Sequence, residues 1–576
     1  MQKNKQYIYL LICLLLPNLL LATNRKEEKN KTFNVKDFGA IADDGLDDSD
    51  AFIKALNECR KNQGSTLVIP AGSYNYKNSK ALEHEYKAIS GQYGEDVQGY
   101  FFKPKAEYVI ALDLDRFNNI TIEADGATLV QEGWYEAISI TNANNVTIKG
   151  LKLMHKRTPF TEGEIVESTS DYFDMKIDPT KYPYLRDVVT GRIHFFDTLK
   201  DRIYTGAWQE KKELQADKQT IRVASSAQPK VGDICILRHS GHGRAAVLVK
   251  ESSNIVLENV TIHSQPGMGV VGHRSENITL KNLQVIPTPG TVTSTNTDAT
   301  HFTSCKGKIL FDGCKFGGQG DDCTNIHNYY WSIYQQNEKN KVKLTVENAD
   351  LHALSLDYPD VGDIVALVNI EDLNTVEQYI IQGVETSIED WSVVVTLDKS
   401  ILGDVQKYYM TNLTRQPSVE IFNNTVRSHM ARAFLIKTSN VHIAGNVVQS
   451  SSGSAIQLGA EAGWRESNPV SNILIENNWF IDCGYGHGAQ KGSAISAEIN
   501  GLNLVPKKLN KDITIRNNVI RAVGESAIYV SGTNGVSIMN NEILGSLKAV
   551  VVENSSNVNV TNNGILPIEI LDETVK

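Results

Sequence analysis

The stretch Asn254-Ile-Val-Leu-Glu-Asn-Val260 decides the fold, because nearly the same string returns 23 residues later as Asn277-Ile-Thr-Leu-Lys-Asn-Leu283. Each copy is a small polar residue, an alternating apolar run, then Asn and a second short run. Related copies begin at Asn119, Asn145, Gly307, Ser418, Asn440, Asn472, Asp512, Gly535 and Asn557. Val419 to Val441 and Val536 to Val558 are each separated by 22 residues, so the period is 22 or 23. Strands this short and β-branched cannot bury a face alone. They must stack as coils about 4.8 Å apart and share one continuous core. The reading is all-β: a right-handed parallel β-helix.

Working outward, the Asn-Asn pairs fall where each coil turns, since Asn tolerates left-handed backbone angles and can bond its equivalent one coil on. Asn119, Asn145, Asn259, Asn277 and Asn412 open N-x-[ST] triplets, which read as turn residues before strand Thr rather than as glycosylation sites. The segment Phe33–Tyr74 breaks the repeat and carries an amphipathic helix over about Ser49–Lys61, which reads as the cap a solenoid end needs. Residues 160–237 and 331–415 also lack the coil pattern. Each holds a Val-Gly-Asp-Ile-x-x-Leu string, at Val231 and Val361, and both are expected to be inserted β-barrel-like modules. The expected order is a signal peptide at 1–22, cap and first coils at 33–159, the first insertion at 160–237, central coils at 238–330, the second insertion at 331–415, and the last coils at 416–576.

The start of the chain has Lys3 and Lys5, an apolar run Tyr7–Leu21 and Ala22 before a polar stretch, the order of a secretory leader. The run is short and interrupted by Pro17 and Asn18, which argues against a membrane anchor. The mature chain is therefore expected to have no membrane span and to act in the periplasm or outside the cell. A net charge of −10 without a Lys/Arg block excludes nucleic acid as the natural partner. Cys59, Cys235, Cys305, Cys314, Cys323 and Cys483 follow the leader, without the C-x-x-C spacing of a zinc or redox site. They read as buried thiols, with a bridge among Cys305, Cys314 and Cys323 as the alternative. No cofactor and no metal is expected.

The chemistry concentrates in Asn296-Thr-Asp298-Ala-Thr-His301 and in Gly320-Asp321-Asp322-Cys-Thr-Asn325-Ile-His327. Asp298 and Asp321 lie 23 residues apart, one coil, so three carboxylates should gather on adjacent coils. Crowded carboxylates split their pKa values, leaving one as an acid and another as a base, the division that glycoside hydrolysis requires. The plainer alternatives are a solvated Asp turn beside Gly320 or a Ca²⁺ site. His301, Asn325, His327, Arg274, Glu461, Trp464 and Glu466 are the candidate substrate-binding residues. Arg238, His239, His242 and Arg244 read as a loop beside the cleft.

The Asn-Thr-Asp and Gly-Asp-Asp-Cys strings resemble those of the polygalacturonase family. With Gln265-Pro-Gly-Met-Gly-Val-Val-Gly-His273-Arg274, Ser452-Gly-Ser-Ala-Ile456 and Trp464-Arg-Glu466, they are closer to glycoside hydrolase family 110, the bacterial α-1,3-galactosidases. That resemblance implies an exo-acting, inverting hydrolase in which Asp321 protonates the leaving oxygen while Asp298 and Asp322 activate water. The oligosaccharide or polysaccharide substrate would end in galactose. Arg432-Ala-Phe-Leu-Ile-Lys437 departs toward polygalacturonases, which hold a uronate with such cations. A hydrolase of pectic or other acidic glycans, a polysaccharide lyase and a non-catalytic glycan-binding β-helix are the competing readings.

Overall fold

The computed structural model describes residues 31–571, apart from 95–96, 102–105, 184–191, 209–211, 240–241, 346–355, 390, 487–491, 502–507 and 523. The expected leader at 1–22 lies outside the described residues.

The repeat builds a parallel β-helix with three sheets running its length. One has 13 strands in order from Thr32–Asn34 to Ser556–Thr561. The second runs from Val109–Asp113 to Ile568–Leu571, and the third, of 11 strands, from Gly72–Lys77 to Glu542–Leu544. The apolar residue two places into each copy stacks coil on coil: Ile255, Ile278, Ile309, Val419, Val441, Ile473 and Ile513 are successive register partners. All of them are buried in a single core that spans the solenoid. Full burial of each such side chain contributes roughly 1.5–3 kcal/mol, and the sum sustains strands only a few residues long.

The Asn-Asn pairs divide their work. The first of each pair, at Asn423, Asn477, Asn517, Asn540 and Asn562, takes φ between 54° and 59°. The second turns inward, where Asn424, Asn478, Asn518, Asn541 and Asn563, together with Asn446 after Gly445, form a ladder with each Nδ2 donating to the next Oδ1 at 2.8–3.0 Å. Each amide also meets backbone groups that the turn would otherwise bury unsatisfied. A second, exposed ladder joins Asn119 to Asn145 and Asn254 to Asn277, and all four residues have positive φ. This is the turn role expected of four glycosylation-like triplet or repeat-start residues.

The helix over Ser49–Lys61 packs Phe52, Ala55, Leu56 and Cys59 onto the first coils, as the cap reading requires. The two insertions differ from each other. Strands between Trp331 and Asn412 close into a six-stranded barrel around its own core of Trp331, Leu344, Val365 and Val395. The strands from Phe160 to Arg238 form a seven-stranded antiparallel sheet, and among the described residues no ladder joins its two edge strands. The first module therefore curls over a core including Phe173 and Phe195 without a described closure. Arg238 ends the strand Ile234–Arg238, buried with its guanidinium against Gly320 next to the Asp321-Asp322 turn, and His239 is buried with its Nε2 2.7 Å from Thr161 Oγ1. Arg244 forms a buried pair with Glu136 at 2.5 Å. The six described cysteines are all buried free thiols.

Candidate active site

The outer face of the second sheet carries the chemistry. Thr300–Thr303 pairs with Thr324–Tyr329, which pairs with Phe434–Ile436. Thr300 lies opposite Thr324, an offset of 24, one more than the sequence repeat. Asp298 is therefore stacked with Asp322, and Asp321 is displaced one residue along the turn. The same ladder, with Thr324 opposite Phe434, brings Arg432 directly over Asp322. Carboxylate oxygens of Asp298, Asp321 and Asp322 lie within 4.8 Å of one another.

The three acids have different surroundings. Asp298 Oδ2 is 2.7 Å from His301 Nδ1 and the residue is buried. Burial, then the charge of Asp321, pushes its carboxyl well above the usual range. Asp322 is also buried and pushed well up by burial, but Arg432 opposes this. The Arg432 backbone N–H donates to Asp322 Oδ1 at 2.7 Å, and its Nε lies 3.2 Å from the same oxygen. Asp321 keeps 28% of its side chain exposed and faces Arg192 Nη1 at 3.5 Å. Arg192 reaches it from the first insertion, on the strand Arg192–Asp197.

A second cluster adjoins the first. Lys437, fully buried, donates to Glu466 Oε2 at 2.5 Å and to Asn325 Oδ1 at 3.1 Å, and lies 2.9 Å from Glu461 Oε2. Asn325 Nδ2 in turn donates to Glu466 Oε2 at 3.2 Å. His327 Nε2 is 2.9 Å from His301 Nε2 and 3.6 Å from Glu466 Oε1. Burial opposes ionisation of Glu466, yet the basic groups His327 and Lys437 outweigh it and hold the carboxyl well below its ordinary value. Both clusters have the spacing of cation ligands. Their charge is met by Lys437 and Arg432 instead, so neither is assigned as a metal centre.

Of the residues expected to bind substrate, His301, Asn325, His327, Glu461 and Glu466 converge beside the aspartates. Trp464 sits on the one-turn 3₁₀ helix Ala462–Trp464 between Glu461 and Glu466 and is exposed, a position open to a sugar face. Arg274 is placed elsewhere, which corrects the expectation. Its buried guanidinium bonds Glu251 at 2.9 Å, Asp360 at 2.6 Å and the Tyr358 carbonyl, and stacks on the Tyr358 ring. It ties the barrel insertion to the solenoid. Arg192 carried no sequence signal, because its insertion reaches the site only through folding. Arg432 and Lys437 were visible as a string, but their carboxylate partners were not.

Removing the Arg432 charge tests this electrostatic picture. Arg432 lowers the Asp322 pKa, so in Arg432→Met that pKa rises further and a base that works ionised needs a higher pH. The acid limb of kcat/KM is expected to move up by about 1–3 pH units, the usual effect of one Arg on a neighbouring Asp. An unmoved limb would remove Asp322 from the base role.

No protein-family model matches the chain. Among solved structures, the chain is similar to the A-module of mannuronan C-5 epimerase AlgE4 from Azotobacter vinelandii, at 12% identity and TM-score 0.43 over 90% of this chain and 96% of that one. It is also similar to an exopolygalacturonase from Thermotoga maritima, at 13% identity and TM-score 0.40 over 92% of each chain. Among curated proteins, α-1,3-galactosidase A of Bacteroides fragilis is 25% identical over 568 residues, 94% of this chain and 91% of that one. α-1,3-Galactosidase A of Shewanella woodyi is 28% identical over 550 residues, covering 89% and 86%. α-1,3-Galactosidase B of Bacteroides thetaiotaomicron is 26% identical over 505 residues, covering 83% and 79%. Over most of its length, then, this chain is similar to the bacterial α-1,3-galactosidases, the group that its Asn-Thr-Asp and Gly-Asp-Asp strings resemble.

Proposed function

We propose that the protein is a glycoside hydrolase that removes terminal α-1,3-linked galactose from glycans, with inversion, and that it does so outside the cytoplasm. The observation that carries the hydrolase is the stacking of Asp298, Asp321 and Asp322 with Arg432 placed over one of them, since it gives acids of one chemical type different surroundings, the condition for dividing acid from base. The curated relatives support galactose as the sugar. The leader-like Lys3–Ala22 segment supports export.

Charge supports a neutral substrate. Lys437 and Arg432 are the cations that could hold a uronate, and both are already matched by Glu461, Glu466 and Asp322. An arriving carboxylate would meet five buried or half-buried acids near three basic side chains. This weighs against both the pectic hydrolase and a uronate lyase. Inversion rests on the resemblance to family 110. The oxygens within 4.8 Å of one another are closer than the 6.5–9.5 Å usual for an inverting pair. In this reading Asp298 and Asp322 hold one water together, and Asp321, the acid, stands at the same short range from them.

The test is NMR of the reaction on an α-1,3-linked galactobiose. Early appearance of β-galactose is the expected result. Early α-galactose would replace inversion by retention, and turnover of oligogalacturonates without turnover of galactobiose would replace the galactosidase reading altogether.

A further inference from the structure

Hydrogen-bond direction through the two site histidines places a proton. His327 Nδ1 is 2.8 Å from the carbonyl oxygen of Asn328, which only accepts, so this nitrogen carries the hydrogen. In a neutral ring Nε2 is then the acceptor. His301 Nε2 lies 2.9 Å from it and must donate. That leaves His301 Nδ1 as an acceptor, 2.7 Å from Asp298 Oδ2, and the remaining donor in this bond is the Asp298 carboxyl itself.

We propose that His301 and His327 are positioning residues that hold a proton on Asp298, so that Asp298 meets the attacking water as a neutral acceptor and Asp322 alone takes its proton. The inference rests on the hydrolase reading for the fate of the water, but the location of the proton is independent of it. In the reaction the water oxygen bonds the anomeric carbon as the glycosidic C–O bond breaks. The water proton passes to the Asp322 carboxylate and the leaving oxygen takes its proton from Asp321. Asp298 gains and loses nothing; its second oxygen accepts a hydrogen bond from the water.

The alternatives each need a ring with two protons, His301 if it donates both to Asp298 and to His327, or, with the chain reversed, His327. Burial pushes that ring down to about 3, and burial likewise pushes His301 down to about 4, so neither is charged at neutral pH. The groups facing the pair do not reverse this. Glu466 and Asp321 favour charge on His301 and Lys437 opposes it; on His327, Glu466 and the Asn328 carbonyl favour charge, and His301 and Lys437 oppose it. Around Asp298, Asp321 and Glu466 favour the neutral form, while Arg432 and Lys437 oppose it. With Asp298 neutral and Asp321 holding the proton it donates to the leaving oxygen, Asp322 ionises without a second negative aspartate beside it.

The test is an infrared difference spectrum at pH 7 between the wild-type protein and Asp298→Asn, in H₂O and D₂O. The expected result is loss, in the variant, of a protonated-carboxyl C=O band that shifts on deuteration. In His327→Phe, which removes the acceptor for His301, the band should be replaced by carboxylate bands and the acid limb of kcat/KM should move to higher pH. His327→Gln, which can still accept from His301, should restore both. Carboxylate bands for Asp298 in the wild-type protein, or a protonated band that survives in folded His327→Phe, would overturn the proposal. If His327→Phe does not fold, the comparison with Asp298→Asn decides alone. A protein with the expected bands but no galactosidase turnover would instead sink the proposed function and leave the proton where it is.

Discussion

Asp321→Asn is expected to lower kcat on α-1,3-linked galactobiose by about 10²–10⁴-fold, the usual contribution of a positioned general acid. Asn has nearly the same shape and Asp321 is partly exposed, so the fold should be little affected. The role is specific enough to be tested by leaving group. An aryl α-galactoside whose phenol departs without a proton should lose far less activity than the disaccharide. Equal losses on the two substrates would show that Asp321 does not donate the proton, and a loss confined to KM would make it a binding group. Of the three acids, Asp321 alone keeps open access to the cleft, with Arg192 at 3.5 Å as its charged neighbour from the insertion.

Lys437→Met is expected to destabilise the protein by about 3–5 kcal/mol near neutral pH, the range for breaking a buried ion pair by removing one partner. The substitution keeps the side chain's length and leaves Glu461 and Glu466 buried without the ammonium that bridges them. In the wild-type protein the Glu466 pKa is depressed. Its contribution to stability is thus present above the unfolded-state value and lost as pH falls through the lower folded value. Without Lys437 the carboxyl pKa values rise, so the folded variant takes up protons more readily than the folded wild-type protein. The deficit should accordingly shrink as pH is lowered from 7 toward the ordinary carboxylate range. Denaturant midpoints of both proteins across that range check it; a deficit that is independent of pH would mean that Lys437 acts by packing and not by charge.

The two predictions bear on one question, how an acid-rich pocket remains folded and still keeps acids in different states. Lys437 and Arg432 offset the charge of Glu461, Glu466 and Asp322 in the wall of the site. The proposed function gives that arrangement a use, since a neutral sugar brings no charge to complete the pocket.

Much of this was legible before folding. The solenoid follows from a repeat of side-chain type, a local property: Ile255 and Ile278 occupy the same place in copies 23 residues apart, and stacking is their one way to be buried. The cap helix follows from its amphipathic pattern, and the positive-φ turns follow from Asn-Asn because few other residues tolerate that backbone. The gathering of Asp298, Asp321 and Asp322 was readable from the coil interval. Three-dimensional register decided the rest. The ladder offset of 24 put Asp322, not Asp321, in register with Asp298 and under Arg432. Docking of the insertions brought Arg192 to Asp321 and drew Arg274 away to Asp360. Chain reversal at Ala462–Trp464 returned Glu461 and Glu466 to Lys437. These contacts join residues tens to more than a hundred positions apart. Periodicity reports what each coil buries, whereas the protonation state of a buried acid depends on which distant charge folding leaves beside it.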